Sequence, residues 1–429
     1  MELNIPKNDK RRIVIIGGGF AGMTLAKKLA GSNYQVVLID KNNYHQFQPL
    51  LYQVATAELT AEEISFPFRK IFRKHDNIIF RIAEFIRMDA KTKTVVTDKG
   101  YIDYDYLVLA VGSVSNFFGM NNVEANALPM KSSSDALDIR NHILENIEKA
   151  SITADSAIKR SLLNVVIVGG GATGIELAGA VSEMRNNMRK GDSHDMYEEL
   201  EIYLIEGTGA LLGNMGTKVS DKTLKLLRKK GVNVLLNSTV SDYINGQIVL
   251  KTGKTIPTSN AIWTSGVKID KIDGVPEELT TNGGRINTDG YFTIKGLPDV
   301  FIIGDASMQT DIKNPKGYPQ LARVAMEQAQ HLAKNFIRIS EEKNPVPFKY
   351  KEYPVMAVVG RNNAFAEYKN KYMLSGFIAW LGWVMVHIIL VLGVNNKFSI
   401  LLGWAWNYYT NDHPARVIIR TTKKSAPTE

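Results

Sequence analysis

Cysteine is absent from all 429 residues. With it go a disulfide framework, thiolate metal sites, iron–sulfur clusters and every mechanism that cycles a redox-active thiol. No metal site is expected. The amino terminus, MELNIPKNDKRR, lacks the apolar core of a signal peptide and reads as a short disordered lead-in to the first strand. No nucleic-acid-binding motif occurs, nor any basic stripe interleaved with aromatics. The net charge of +9 therefore points to an anionic membrane surface rather than to nucleic acid. What remains is an ordinary globular balance, 45% apolar and 22% charged, over a length that suits two or three domains.

The same unit occurs twice. From Arg12, RIVIIGGGFAGMTLAKKLA reads strand, glycine turn, helix. Ile13 to Ile16 is short, apolar and β-branched, as expected of a parallel strand buried on both faces. Gly17, Gly19 and Gly22 stand in the GxGxxG arrangement, and the next strand ends at Asp40, twenty-three residues after Gly17. Gly17 permits the tight turn, Gly19 lets a pyrophosphate approach the backbone, and Gly22 lets the helix pack on the sheet. The pyrophosphate sits at the helix N-terminus, and Asp40 can accept from a ribose diol. The pattern returns at NVVIVGGGATGIELAGA, with strand Val165 to Val168, fingerprint Gly169, Gly171 and Gly174, and a later strand ending at Glu206. A charged stretch, Arg185 to Glu199, lengthens that crossover. One such motif is weak evidence. Two, each between strand and helix and each followed by an acid, argue against incidental glycine turns.

Each unit is followed by an apolar strand and a small-residue turn, YLVLAVGS through Gly112 and AIWTSGV through Gly266. Downstream, DVFIIGDAS puts Gly304 and Asp305 at another strand end. Asp305 either binds the ribityl or phosphate part of a flavin or caps the next helix; behind two nucleotide folds the flavin is favoured.

This order of motifs resembles the two-dinucleotide-binding flavoproteins of the glutathione reductase type. Within them, several stretches are similar to the type II NADH:quinone oxidoreductases: NYHQFQPLLYQVATAEL at Asn43 to Leu59, AVGSVSNFFG at Ala110 to Gly119, the second fingerprint, and the Trp- and His-bearing tail. The resemblance spans essentially the whole chain. It implies an α/β fold with two Rossmann-like domains, noncovalent FAD in the first and NADH in the second, plus a C-terminal helical membrane-anchoring region. Hydride would pass from NADH to FAD, and two electrons from there to a membrane quinone, ubiquinone or menaquinone. The FAD domain is expected at 11–120 and 290–345, the NADH domain at 121–289 and the membrane region at 346–429.

Cofactor contacts are expected from both fingerprints, from Asp40 and its neighbour Lys41, from the turns at Gly112 and Gly266, and from Gly304 and Asp305. Glu206 matches the residue that takes the NADH ribose. An acid there repels a 2′-phosphate, and Gly207 and Thr208 supply no arginine to rescue one. Glu176, placed in the first turn of the second fingerprint helix, corresponds to a family glutamate near the nicotinamide; it either positions NADH as the catalytic residue or simply complements the helix dipole.

Family members carry AQxAxQ at the quinone site. Here the stretch is QLARVAMEQAQ: Ala322 and Ala325 match, while Arg323 and Glu327 replace the two glutamines. Spaced four apart on a helix, they suit an ion pair. The pair either keeps the shape of the tunnel mouth or changes the acceptor range, or the register slips and Gln320 and Gln328 serve instead.

The texture changes after Pro345. YPVMAVVGRNNAFAEY reads as a hairpin, and Tyr372 to Asn396 contains no Asp, Glu, Lys or Arg. That run is a buried core helix, a membrane span, or an interfacial anchor with Trp380, Trp383, Trp404 and Trp406 at headgroup level. The resemblance favours the anchor, monotopic on the cytoplasmic face of the cell membrane. His387 touches quinone or only packs between helices. Dimerisation through the tail is common in the family, but no interface is legible. No row of intramembrane carboxylates suggests a proton pump. A soluble ferredoxin-reductase-like NADH:acceptor reductase is the alternative enzyme and a nucleotide-binding signalling scaffold the non-enzymatic one. The missing cysteines exclude disulfide reductases and sulfide:quinone reductases.

Overall fold

The computed structural model describes residues 1–191, 196–369, 371–410 and 415–418. They form two compact units. The first comprises Met1–Gln46, Ser65–Val114 and Val267–Lys351; the second comprises Phe47–Ile64, Ser115–Gly266 and Glu352–Glu429. By packing, then, 47–64 goes with the second unit, 267–289 with the first, and the tail with the second.

The first unit is built on a six-stranded sheet. Arg12–Ile16 lies at its centre, parallel to Gln35–Asp40 on one side and Tyr106–Leu109 on the other. Its β-branched run is buried from Ile13 to Ile16, because layers cover both faces of the strand. Leu297–Ile302 continues the sheet in parallel beyond Tyr106–Leu109. Helix Phe20–Lys28 leaves the first glycine turn and packs against helix Ala322–Ser340. On the core side Val14, Val37, Leu107 and Val300 meet Met88 and Val95 of an antiparallel three-stranded layer. The expected disordered lead-in is instead part of this core. Leu3 and Ile5 are buried in it, and Leu3 donates its N–H to the carbonyl of Tyr101 at 2.7 Å. Two apolar side chains in a polar segment suffice to dock it.

The second unit repeats the plan. Val165–Val168 lies between Ile202–Ile205 and Asn260–Trp263, all parallel, with Val232–Leu235 beyond. Every residue of Val165–Val168 is buried. Helix Ala172–Gly191 follows the second turn. Residues 192–195 of the charged crossover lie outside the described residues. Helix Ser133–Ser151 begins with a capping box, in which the Ser132 hydroxyl accepts from the Asp135 N–H.

The tail hairpin forms as expected, Val355–Val358 against Ala364–Tyr368, with Tyr372–Gly376 added as a third antiparallel strand. The long apolar run is not one helix. Its first residues belong to that strand, and the chain turns at Gly376, with φ at +80°. Helix Phe377–Leu390 has only 14 residues. That is about 21 Å of rise against roughly 30 Å of hydrocarbon. A break through Val391 and Gly393 leads into helix Val394–Thr410. Among the described residues no helix is long and apolar enough to cross a membrane.

Candidate functional site

Each unit carries one cradle, and the two are built alike. In the first, Gly17 adopts φ +96°, and a Cβ there would lie 2.4 Å from the carbonyl oxygen of Ala110. A Cβ at Gly22 would lie 1.9 Å from the Gly17 oxygen, so the helix rests directly on the turn. At Gly19 the same atom would meet nothing within 4 Å, and no side chain caps the helix there. This open backbone at a helix start is what a pyrophosphate requires. Asp40 closes the turn: one carboxylate oxygen accepts the Gly18 N–H at 2.6 Å, the other the Asn42 N–H at 2.7 Å. Burial raises its carboxyl above the ordinary value, opposed by those two N–H bonds. Lys41 next to it is exposed.

The second cradle matches nearly atom for atom. Gly169 has φ +119°, a Cβ at Gly174 would lie 1.9 Å from the Gly169 oxygen, and Gly171 is open. Glu206 accepts the Gly170 N–H at 2.7 Å through one oxygen and the Thr208 N–H and hydroxyl, at 2.7 and 2.8 Å, through the other. The turn at Gly266, φ +70°, lies under the Phe118 ring.

Asp305 does not cap a helix. It lies in the single turn Gly304–Ala306, and the next long helix starts at Ala322 after Leu321. Its carboxylate accepts from the Ser113 hydroxyl at 2.6 Å, which ties the GD turn to the one carrying Gly112. Two further bonds hold that turn. The Gly304 N–H donates to the Gln328 side chain at 2.7 Å, and the Gln320 amide donates to the Asp305 carbonyl at 3.2 Å. Arg323 and Glu327 pair at 3.1 Å, the arginine exposed and the glutamate largely covered. Ala325 is buried beside Gly304, and Ala322 is half-buried.

Glu176 is the fifth residue of helix Ala172–Gly191, beyond the first turn, and so outside the reach of the helix dipole. Burial pushes its carboxyl up to about 8, moderated by the Val358 N–H, which donates to it at 3.4 Å. Seven residues on, Glu183 accepts from Lys230 Nζ at 2.7 Å and from the Arg361 N–H at 2.8 Å. Glu183 lines a small cavity of about 50 Å³, together with Tyr52, Glu58, Arg361, Trp383 and Trp404. None of these except the tryptophans was singled out by the sequence. Tyr52 and Glu58 lie inside the Asn43 to Leu59 stretch, and Glu183 shares a helical stripe with Glu176, so a signal existed without a chemical role attached.

The tail helices present a wide apolar face. Phe377, Ile378, Leu381, Met385 and Ile389 are exposed on the first, and Phe398, Leu402, Trp406 and Tyr409 on the second. Of the four tryptophans expected at headgroup level, only Trp406 is exposed: Trp383 is buried and the Trp404 ring N–H donates to Gln53 at 2.9 Å. His387 stacks on Trp383 at 3.9 Å, and its Nδ1 bonds the Trp383 carbonyl at 2.7 Å. Burial lowers it to about 4. Of the basic C-terminal residues, Arg416 is described, while Arg420, Lys423 and Lys424 lie outside the described residues.

Residues 11–329 match the family model of the pyridine nucleotide-disulphide oxidoreductases. Among curated proteins, the chain is 32% identical over 411 residues to a type II NADH:quinone oxidoreductase of Mycobacterium tuberculosis, covering 92% of this chain and 87% of that one. It is 28% identical to a mitochondrial internal alternative NAD(P)H-ubiquinone oxidoreductase of Arabidopsis thaliana, covering 93% and 84%. Among solved structures, NDH2 from Plasmodium falciparum in complex with NADH superposes with a TM-score of 0.87 at 22% identity, covering 96% of this chain and 100% of that one.

Proposed function

Because the chain belongs to the pyridine nucleotide-disulphide oxidoreductases, and within them to the type II NADH:quinone oxidoreductases, we infer that it passes a hydride from NADH to FAD and two electrons on to a membrane quinone, without pumping protons. The observation that carries this reading is the pair of matched cradles, each with an open glycine backbone at a helix start and an acid holding the turn. The absence of cysteine removes the disulfide chemistry of the wider family. FAD supplies the two-electron chemistry; the protein binds, orients and handles protons.

In the first cradle, Gly19 leaves room for the FAD pyrophosphate and Asp40 faces its ribose. The Gly304–Asp305 turn holds the ribityl phosphate side, kept in place by Ser113, Gln328 and Gln320. In the second, Gly171 admits the NADH pyrophosphate and Glu206 takes the ribose diol, disfavouring NADPH. Glu176 would position NADH at the nicotinamide end, and its raised carboxyl is able to hold a proton at neutral pH. With both Gln320 and Gln328 engaged on the GD turn, the Arg323–Glu327 pair is left to edge the quinone site, with Ala322.

The exposed apolar face of the tail helices suits a lipid surface, making the protein monotopic on the cytoplasmic face of the cell membrane. A second copy of the chain is the competing occupant of that face. The test is to mix purified protein with NADH, a short-chain quinone and detergent while following flavin absorbance. Bleaching by NADH followed by quinone-dependent reoxidation is the expected result; bleaching without reoxidation would move the acceptor elsewhere and implicate Arg323 and Glu327.

A further inference from the structure

NADH oxidation by a quinone draws one proton from water per turnover. NADH gives up a hydride and leaves as NAD⁺, while the quinone takes two electrons and two protons. A proton must therefore reach a site from which bulk water is largely excluded. The second unit contains a line of ionisable groups that nothing in the cofactor cradles uses, with Tyr52 buried and Glu58, Glu176 and Glu183 half-buried. Glu176 and Glu183 are seven residues apart on one helix, so they share a stripe, with about 10.5 Å of rise between them. Between them on that stripe stand Gly179, on which the Val359–Gly360 backbone packs directly, and Ala180, whose small side chain lines the cavity. The cavity opens there, and Tyr52 and Glu58 enter it from the 47–64 segment.

We propose that Glu58, Tyr52 and Glu183 form a relay that carries protons from the Lys230 face of the second unit to Glu176. Lys230 bridges the outer end: its ammonium holds Glu183 at 2.7 Å, and with Arg185 and Lys229 it borders an open surface pocket. The charges facing Glu58 come from every side. Helix Ala172–Gly191 supplies Glu183, the end of helix Thr217–Lys229 supplies Lys230, and the hairpin loop supplies Arg361. The tail helices contribute Trp380, Trp383, Trp404 and Asn407, with His387 behind Trp383 and uncharged at neutral pH. Arg361 spends its guanidinium on the carbonyls of Asn407 and Tyr408, at 2.6 and 3.0 Å.

Burial and the neighbouring Glu183 push the Glu58 carboxyl up to about 8, against Arg361 and Lys230. Glu58 is thus a neutral acid at pH 7, and Glu183 beside it is held by Lys230 and the Arg361 N–H. Glu176, also near 8, is matched to receive what Glu58 gives. Tyr52 stays protonated, its phenol held well above the ordinary value by burial and by Glu176, Glu58 and Glu183, so it passes a proton on and regains one without net change. Water in the cavity closes the gaps between these groups.

The proposal rests on the placement of Glu176 beside the nicotinamide, and ferricyanide separates the two ideas because this one-electron acceptor takes up no proton. In the flavin-loaded Glu58→Gln protein, quinone turnover should fall roughly ten- to hundredfold. Ferricyanide turnover, flavin bleaching by NADH and both Michaelis constants should stay at the wild-type level, and Glu58→Asp should recover most of the loss. Infrared spectra at neutral pH should lose one of two protonated-carboxyl contributions in Glu58→Gln, with that of Glu176 remaining. Should that variant fold poorly, Tyr52→Phe keeps the ring and tests the same step. Unchanged quinone turnover and pH profile, or equal losses with quinone and ferricyanide, would overturn the relay alone. A wild-type protein that bleaches but is never reoxidised by quinone would overturn the functional reading beneath it.

Discussion

Asp40 and Glu206 perform one task in two units, each accepting the N–H of the residue after the first fingerprint glycine and another two residues beyond itself. Such charge-assisted bonds contribute about 1.5–3 kcal/mol each. Glu206→Ala should therefore raise the Michaelis constant for NADH roughly tenfold or more and relax the preference over NADPH. Steady-state kinetics with both cofactors checks this, and unchanged selectivity would remove the assigned role. Glu176 makes a second prediction, in stability. Its carboxyl is raised to about 8 from an ordinary 4.5, so its contribution to folding is fully present below pH 4.5 and is lost as pH rises through 8. Glu176→Gln should flatten the decline in melting temperature over that window; a melting curve that declines with pH as in the wild type would show that burial does not perturb this carboxyl.

At the scale of elements, the fingerprint helices depend on glycine where they touch their turns. A methyl at Gly22 or Gly174 would sit 1.9 Å from a carbonyl oxygen, so helix and strand must separate. Because the two cradles belong to different units, the consequences should differ. Gly22→Ala should purify with little flavin, whereas Gly174→Ala should keep flavin but bleach slowly with NADH. Absorbance of the purified proteins decides, and flavin loss in both would mean the units do not have separate cofactors. The tail helices behave differently, since their exposed apolar side chains lie outside any core, with Phe377 resting on Trp380. Replacing Phe377, Ile378 and Leu381 by polar residues forfeits about 1.5–3 kcal/mol of burial per side chain if they enter lipid. The triple variant should stay in the supernatant when lipid vesicles are pelleted and keep ferricyanide turnover; co-sedimentation equal to wild type would sink the lipid assignment.

For the molecule as a whole, a net charge of +9 and an apolar tail face predict two-part binding to membranes. The electrostatic part is screened by salt, with a Debye length near 3 Å at 1 M, while the apolar part is not. Binding to vesicles containing anionic lipid should weaken on adding salt and level off above zero. Complete release at high salt would leave charge as the whole attraction.

The duplicated nucleotide fold was legible in the chain itself, because a β-branched run, a GxGxxG turn and a following acid are each demanded by local backbone geometry. Gly17, Gly174, Asp40 and Glu206 needed no tertiary information. Nor did the Arg323–Glu327 pair, a matter of helical spacing. The tail was misleading for a physical reason: hydropathy records that a run is apolar, not where φ turns positive, and the turn at Gly376 and the break at Gly393 cut it into pieces too short to span. Only packing could show that Trp383 faces inward, that Leu3 and Ile5 dock on the first core, and that Glu58, from a segment more than a hundred residues before Glu183, stands in the same cavity. A residue's own sequence neighbourhood dictates its backbone, but the charges that set the proton affinity of a buried carboxyl come from whichever distant segments the fold brings against it.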